Sequence, residues 1–294
     1  MKSFTIKNAI NTCYMDSILM SLFYPPSNIC KLLLQVEPEK LDVIYLQEIL
    51  RDDFIKKVSM LESIDYQSIE TIRMLCFDLG WRDGNKQEYY AQQDVSEFYE
   101  FLINLMNPSQ FLIEIQRSTF EDITMDKHGS IEKIPFIPLS PTFNPINNSN
   151  VHKTQFNVSD MLNDWMFDNV FKKNCGKTII NNYNILNTPY ILPFVINRYT
   201  CENNKLNVDI NVEKVILPFK HMNKNLSWTI HAIICHNGVN TKSGHYYTIL
   251  CNNDKWYLFD DLKTPSLKEI SIKDYDIDEK IKKQSVFLLY KLKL

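Results

Sequence analysis

Asn11-Thr12-Cys13-Tyr14-Met15-Asp16-Ser17 near the start of the chain, read with Ser243-Gly244-His245-Tyr246-Tyr247 and Trp256-Tyr257-Leu258-Phe259-Asp260-Asp261 far downstream, decides the fold. The three stretches supply, in order, a thiol, an imidazole and a carboxylate, the set that nucleophilic acyl chemistry requires. Cys13 falls at the start of a run in which Tyr14, Ile18, Leu19, Leu22 and Phe23 recur at helical spacing and Pro25 stops the helix. A helix start offers unpaired amides and the positive end of the dipole, which favour thiolate over thiol. A lone cysteine is otherwise an ordinary small core residue. Position, not residue type, makes Cys13 a candidate nucleophile.

His245 and Asp260 carry a separate geometric argument. Residues 245–251 and 255–260 form two β-rich runs around Asn252-Asn253-Asp254, a turn signal. A two-residue loop at Asn252-Asn253 sets Cys251 opposite Asp254 and His245 opposite Asp260. A three-residue loop sets Asp261 there instead. Facing side chains have Cβ atoms about 4.5–5.5 Å apart, so either register brings a carboxylate to the imidazole. That carboxylate would fix one tautomer and leave the second ring nitrogen for the thiol. The other histidines lack this company: His231 reads as mid-strand, His236 as opening a turn, and His128, His152 and His221 as loop residues. No cysteine or carboxylate ligand pattern accompanies them, so no metal site is expected.

Working outward, the first third reads as helical, with further apolar stripes over 41–60 and 68–79 and Gly80 placed as a C-terminal cap. Asp94 and Glu97 form a capping-box pair before Val95, Phe98, Leu102 and Leu105. From Phe111 the texture changes: 111–124 reads as extended and 134–150 as loop. A helix capped by Ser159 follows, then short strands over 190–197, 212–217, 228–235, 245–251, 255–260 and 284–292. There is no internal repeat and no flexible linker. The expected fold class is α+β in one domain over 1–294, helices first and mainly antiparallel sheet after.

Bulk properties agree with a folded enzyme. The 294 residues are 45% hydrophobic and 23% charged, with a net charge of −3 spread along the chain. This gives no basic surface for nucleic acid or an anionic membrane. No apolar run is long enough to span a bilayer, and the apolar stretch after Met1-Lys2 is interrupted by Asn11 and Asp16 and has no cleavage site. Seven irregularly spaced cysteines without a C-x-x-C pair argue for a reducing compartment, hence a cytoplasmic or nuclear setting. Abundant Asn, Lys and Ile fit an AT-rich genome, as in a parasite or a large DNA virus, which would place the chain in host cytoplasm.

Asn8-Ala9-Ile10-Asn11-Thr12-Cys13-Tyr14-Met15-Asp16-Ser17-Ile18-Leu19 resembles the cysteine box of the ubiquitin-specific proteases, usually N-x-G-N-T-C-Y-M-N-S. Gln92-Gln93-Asp94-Val95-Ser96-Glu97-Phe98 resembles the family's Q-x-D-x-x-E-F segment. Leu192-Pro193-Phe194-Val195-Ile196-Asn197-Arg198-Tyr199 is similar to the strand before the palm, and the run Trp228 to Asp261 to the histidine box. The four matches stand in register over nearly the whole chain. The resemblance implies a papain-like cysteine protease fold: thumb at 1–107, short fingers at 108–180 and palm at 181–294. It also implies hydrolysis of the (iso)peptide bond after the C-terminal glycine of ubiquitin. By the same match Cys13, His245 and Asp260 form the triad and Asn8 stabilises the oxyanion, a donor worth about 3–4 kcal/mol in related acyl transfers. Gly244 and Tyr246 would line the channel for the glycine tail, and Asp94 would meet the basic tail of ubiquitin or cap its own helix.

Three departures qualify the match. Ile10 replaces the usual glycine, so the loop is not expected to use φ > 0 there. Asp16 replaces asparagine one helical turn after Cys13, where a carboxylate opposes thiolate formation. Where many relatives bind zinc through two C-x-x-C pairs, only Cys175 is present and Lys172 occupies the partner position. No structural zinc and no cofactor are expected. Ubiquitin or ubiquitinated proteins are the implied partners, met by a monomer. The alternatives are a catalytically weak ubiquitin-binding module and a cysteine peptidase for another ubiquitin-like modifier or for ordinary peptides.

Overall fold

The apolar spacing after Thr12 produces α1, Cys13–Phe23, and every residue in it is buried. A helix covered on all sides must run through the core, and α1 packs against one face of the large sheet. In this computed structural model the described residues are 4–26, 28–34, 40–121, 128–141, 154–167, 169–172, 178–200, 202–216, 226–240 and 243–293. Around α1 lie α2, Asn28–Leu34, and α3, Leu41–Ile49. The stripe over 41–60 is not one regular helix. A π-helical turn over Leu50–Ile55 separates α3 from α4, Lys56–Met60. Helix α5, Tyr66–Asp78, is capped by the Asp65 carboxylate and is followed by Gly80 at φ +101°, a left-handed residue as expected.

Helix α6, Val95–Met106, starts where Asp94 accepts from the Ser96 amide at 2.7 Å. The reciprocal half of the expected capping box is not seen. Glu97 instead pairs with Arg82, an ion pair that reaches back to the turn after α5.

The remaining chain builds three sheets. Strands β1 (Ile113–Glu121), β2 (His128–Ile134), β5 (Asn169–Lys172) and β6 (Thr178–Ile185) form a four-stranded sheet in the order β2-β1-β6-β5. The short pair β4 (Gln155–Asn157) and β8 (Asp209–Asn211) runs parallel. An eight-stranded sheet takes β3 (Ile137–Leu139), β7 (Ile191–Ile196), β9 (Val215–Ile216), β10 (Trp228–Asn240), β11 (Ser243–Asn252), β12 (Lys255–Phe259), β13 (Leu267–Ile270) and β14 (Ser285–Leu292). Its main order is β13-β12-β11-β10-β14-β7-β3, with β9 beside β10. Only the β3–β7 pairing in it is parallel. The class is α+β, helices first and mainly antiparallel sheet after, as the sequence led us to expect.

Alternation along β10 and β11 divides the core. Ala232, Ile234, Tyr246 and Leu250 face the helical cluster around α1. Ile233, Cys235, Tyr247 and Ile249 face a second cluster. That cluster includes Met161 and Trp165 of α7 (Val158–Phe167) and Ile277 and Ile281 of α8 (Tyr275–Gln284). Helix α7 begins at Val158, one residue before the expected cap. The Glu213 carboxylate, not Ser159, accepts from the Val158 and Ser159 amides. Arg198, fully buried, donates to the carbonyls of Val208, Lys282 and Ser285 and ties the end of β7 to the start of β14.

Candidate active site

The N-terminal segment meets the loop after β12 through backbone and side-chain bonds. Ser266 N–H donates to the Phe4 carbonyl, and Ile6 N–H donates to Ser266 Oγ. These contacts carry Asn8 to Asp261, where Asn8 Nδ2 donates to Asp261 Oδ2 at 2.5 Å. From there the chain turns into α1 through Ile10 and Asn11, both in the left-handed region at φ 56° and 58°. The expectation at Ile10 is therefore overturned: the loop keeps a positive φ although a β-branched side chain disfavours it. Two contacts hold the loop there. Arg73 Nη1 donates to the Ile10 carbonyl at 2.8 Å, and Asn11 Nδ2 donates to the Tyr90 carbonyl at 2.9 Å. The buried Arg73 guanidinium is itself fixed by Glu70 and by the rings of Tyr89 and Tyr90, 4.7 and 4.6 Å away.

Cys13 follows, 3% exposed. Burial, the larger effect, pushes its thiol up to about 12, and the nearby Asp261 and Asp16 carboxyls act in the same direction. Backbone amides of Tyr246 and Tyr14 pull the other way and lose. Burial thus opposes the expected stabilisation of a thiolate by the helix start. The Tyr246 contact also puts the sulfur beside the residue that follows His245.

His245 Nε2 lies 2.8 Å from Asp260 Oδ1 and 3.6 Å from Asp261 Oδ1. The carboxylate arrives by a route different from the expected one. The β11–β12 ladder pairs Asn252 with Lys255 and Thr248 with Phe259. The loop is therefore Asn253-Asp254, both at positive φ, and neither register considered from the sequence is correct. The ladder ends before His245, which pairs with Asn237 of β10. Asp260 sits in the turn beyond β12, where its amide donates to the Ser266 carbonyl and its Oδ1 also accepts from Leu262 N–H. Burial alone would raise the Asp260 carboxyl; the bonds from His245 and Leu262, with Lys263 nearby, outweigh it and hold it below the usual range.

The donor atoms of His245, Asp260 and Asp261 all lie within 4.8 Å of one another. The bond to Asp260 uses the imidazole nitrogen that a cation would need, so the set reads as a hydrogen-bonded relay. The expectation of no zinc rests on Lys172, on the cysteine-free strand near Arg117–Phe120 and on Cys175, of which Cys175 lies outside the described residues, as do His152 and His221.

Gly244 has φ +143°, and a β-carbon there would come within 2.6 Å of His236 Nε2 and 2.7 Å of the Asn237 carbonyl. Its bareness serves the close approach of β10 as well as any passing substrate. His236 does not open a turn. It is buried within β10 opposite Tyr246, stacked on that ring at 4.4 Å, and bonded to Tyr199 Oη and Gln92 Nε2. Asp94 and Tyr246 line one cleft of about 490 Å³ with Ser140, Val195 and Tyr199. Sequence reasoning weighed Asp261 only as an alternative partner of His245, not as the partner of Asn8, and missed the roles of Arg73 and His236.

Comparison with known proteins places this geometry. Residues 4–290 match the family described as ubiquitin carboxyl-terminal hydrolase. The chain belongs to the ubiquitin carboxyl-terminal hydrolase family. A structure of the yeast SAGA DUBm with a mutant of Sgf73 is similar over 100% of this chain and 69% of the yeast chain, at 16% identity and a TM-score of 0.67. The fold is thus the papain-like one that the motifs implied. A search of curated proteins returns no match.

Proposed function

We propose that this chain is a cysteine-dependent deubiquitinase that hydrolyses the (iso)peptide bond after the C-terminal glycine of ubiquitin. The observation that carries the reading is the His245–Asp260 bond, set one residue from the amide that meets the Cys13 sulfur. With Nε2 held by Asp260, Nδ1 is the nitrogen left for the thiol. Cys13 Sγ attacks the carbonyl carbon as its proton passes to His245. His245 then protonates the leaving amine, and water cleaves the thioester. An Asn side chain has two N–H donors. Asp261 takes one from Asn8 and so orients the other for the oxyanion.

Asp94 and Tyr246 would receive the tail of ubiquitin along the cleft they share. In this reading the thumb is 1–107, the fingers 108–180 and the palm 181–294, the chain acts as a monomer, and its setting is a reducing compartment. The described cysteines are thiols and not disulfides, which fits that setting.

One observation favours a second reading. A cysteine only 3% exposed suits a module that binds ubiquitin and reacts slowly. Ubiquitin carrying a C-terminal electrophile separates the two. Rapid covalent labelling, lost in Cys13→Ala and His245→Ala, supports the hydrolase. Tight binding without labelling supports the module, and labelling only by another modifier reassigns the substrate.

A further inference from the structure

Asp16 and Asp261 are 0% and 7% exposed, and their carboxyls lie within hydrogen-bonding reach of each other. Each has one oxygen supplied with a donor: Thr12 Oγ1 donates to Asp16 Oδ2 at 2.8 Å, and Asn8 Nδ2 to Asp261 Oδ2. Thr12 has its single hydroxyl proton committed there, since its oxygen accepts from Ala9 N–H at 2.9 Å. The other oxygens, Asp16 Oδ1 and Asp261 Oδ1, are both buried without a donor. Ionised carboxylates only accept, so two buried, adjacent, ionised carboxyls would leave both oxygens orphaned and two like charges in contact. A single proton removes both problems.

We propose that Asp16 and Asp261 share one proton, with Asp16 as a carboxylic acid donating to an ionised Asp261, and that Asp16 is thereby a positioning residue for Asn8. Asp261 is the charged member because it also faces the Asn8 amide and His245, whereas Asp16 is wholly buried in α1. Burial, then the Asp261 charge, raises the Asp16 carboxyl well above 3.8. The charged and titratable groups around the pair are Cys13 and Tyr14 on α1, Arg73 on α5, His245 on β11 and Asp260 in the following turn. Loss of the proton would put a second negative charge beside Cys13 and push Asp261 away from its place under Asn8. The positional half of this proposal rests on the hydrolase reading; the proton itself does not.

Infrared spectroscopy of the full chain reads the proton directly. A protonated-carboxyl C=O band should be present at neutral pH in wild type and in Cys13→Ala, and absent from Asp16→Asn. Absence of that band from wild type, or its survival in Asp16→Asn, overturns the shared proton. Labelling by the ubiquitin electrophile reads the consequence. The wild-type rate should fall on the alkaline side as the pair loses its proton. Asp16→Asn, whose amide donates to Asp261 without titrating, should keep the neutral-pH rate and lose that alkaline fall. Asp16→Ala, checked for folding by circular dichroism, should react on the order of 100-fold more slowly with ubiquitin binding retained. An unchanged rate in Asp16→Ala, or identical pH profiles in wild type and Asp16→Asn, overturns the positioning role. Should wild type fail to label at every pH, the hydrolase reading falls while the infrared band still decides the proton.

Discussion

Ile10 stands where relatives use glycine, and it stays in the left-handed region because Arg73 grips its carbonyl and Asn11 is bonded to Tyr90. Its side chain is 54% exposed, so little burial rewards the strain. An L-residue in that region costs about 1–2 kcal/mol, while glycine gives back about 0.4–1 kcal/mol through the unfolded chain. Ile10→Gly should therefore stabilise the protein by about 0.5–1 kcal/mol, read as a higher urea midpoint; a lower midpoint would mean that Ile10 makes a compensating contact. The sequence located the departure but mistook its outcome. Distant side chains, here a guanidinium from α5, override a local preference that only the neighbouring residues could reveal. Cys13 shows the same limit. Helix position was legible, but the burial that dominates the Cys13 thiol depends on α1 being enclosed on all sides.

The β11–β12 hairpin shows why an error in register did not cost the site. Three consecutive turn formers, Asn252-Asn253-Asp254, leave the loop ambiguous, and the ladder resolves it as Asn253-Asp254. His245 and Asp260 lie beyond the paired residues, so a turn and not a facing position sets their contact. Gly244 is the fixed point of that end of the hairpin. Gly244→Ala should cost about 1–3 kcal/mol of stability through forced overlap with His236 and the Asn237 carbonyl. It should also slow electrophile labelling, because His245 is the next residue. Stability within error of wild type would show that β10 yields easily. Helix α8 escaped notice because its buried face is only Ile277 and Ile281, too few apolar positions to register as a period. The cap of α7 was hidden for another reason. Glu213 is distant in sequence, and no local pattern encodes it.

Across the whole molecule, buried titratable groups set opposing pH dependences. Burial, chiefly, holds the His231 imidazole down to about 3 and that of His236 to about 4, against 6.5 when free. Their contribution is complete above pH 6.5 and is lost as pH falls through those values. The raised Asp16 carboxyl works the other way: its contribution is complete below 3.8 and is lost as pH climbs through its folded value. Each group changes stability by about 1.4 kcal/mol per pH unit while it titrates in one state only. The two histidines give a loss on acidification from pH 6.5, and the Asp16 carboxyl a loss as pH climbs through its folded value. Urea unfolding midpoints should therefore fall on acidification below pH 6.5. His231→Gln should flatten the acid limb and Asp16→Asn the alkaline one. A midpoint independent of pH would refute both assignments. The strands of the sheet behind this balance, β10 and β11 among them, were legible as short apolar runs. The Asn-rich strand β6 was not, because polar residues are as numerous as apolar ones along it.

The bonds from Phe4 and Ile6 to Ser266 bear on how the molecule is made. In the hydrolase reading Cys13 precedes its base by more than two hundred residues, and the loop that clamps its leading segment lies further on still. Chains cut short of Ser266 should then be inert towards the ubiquitin electrophile.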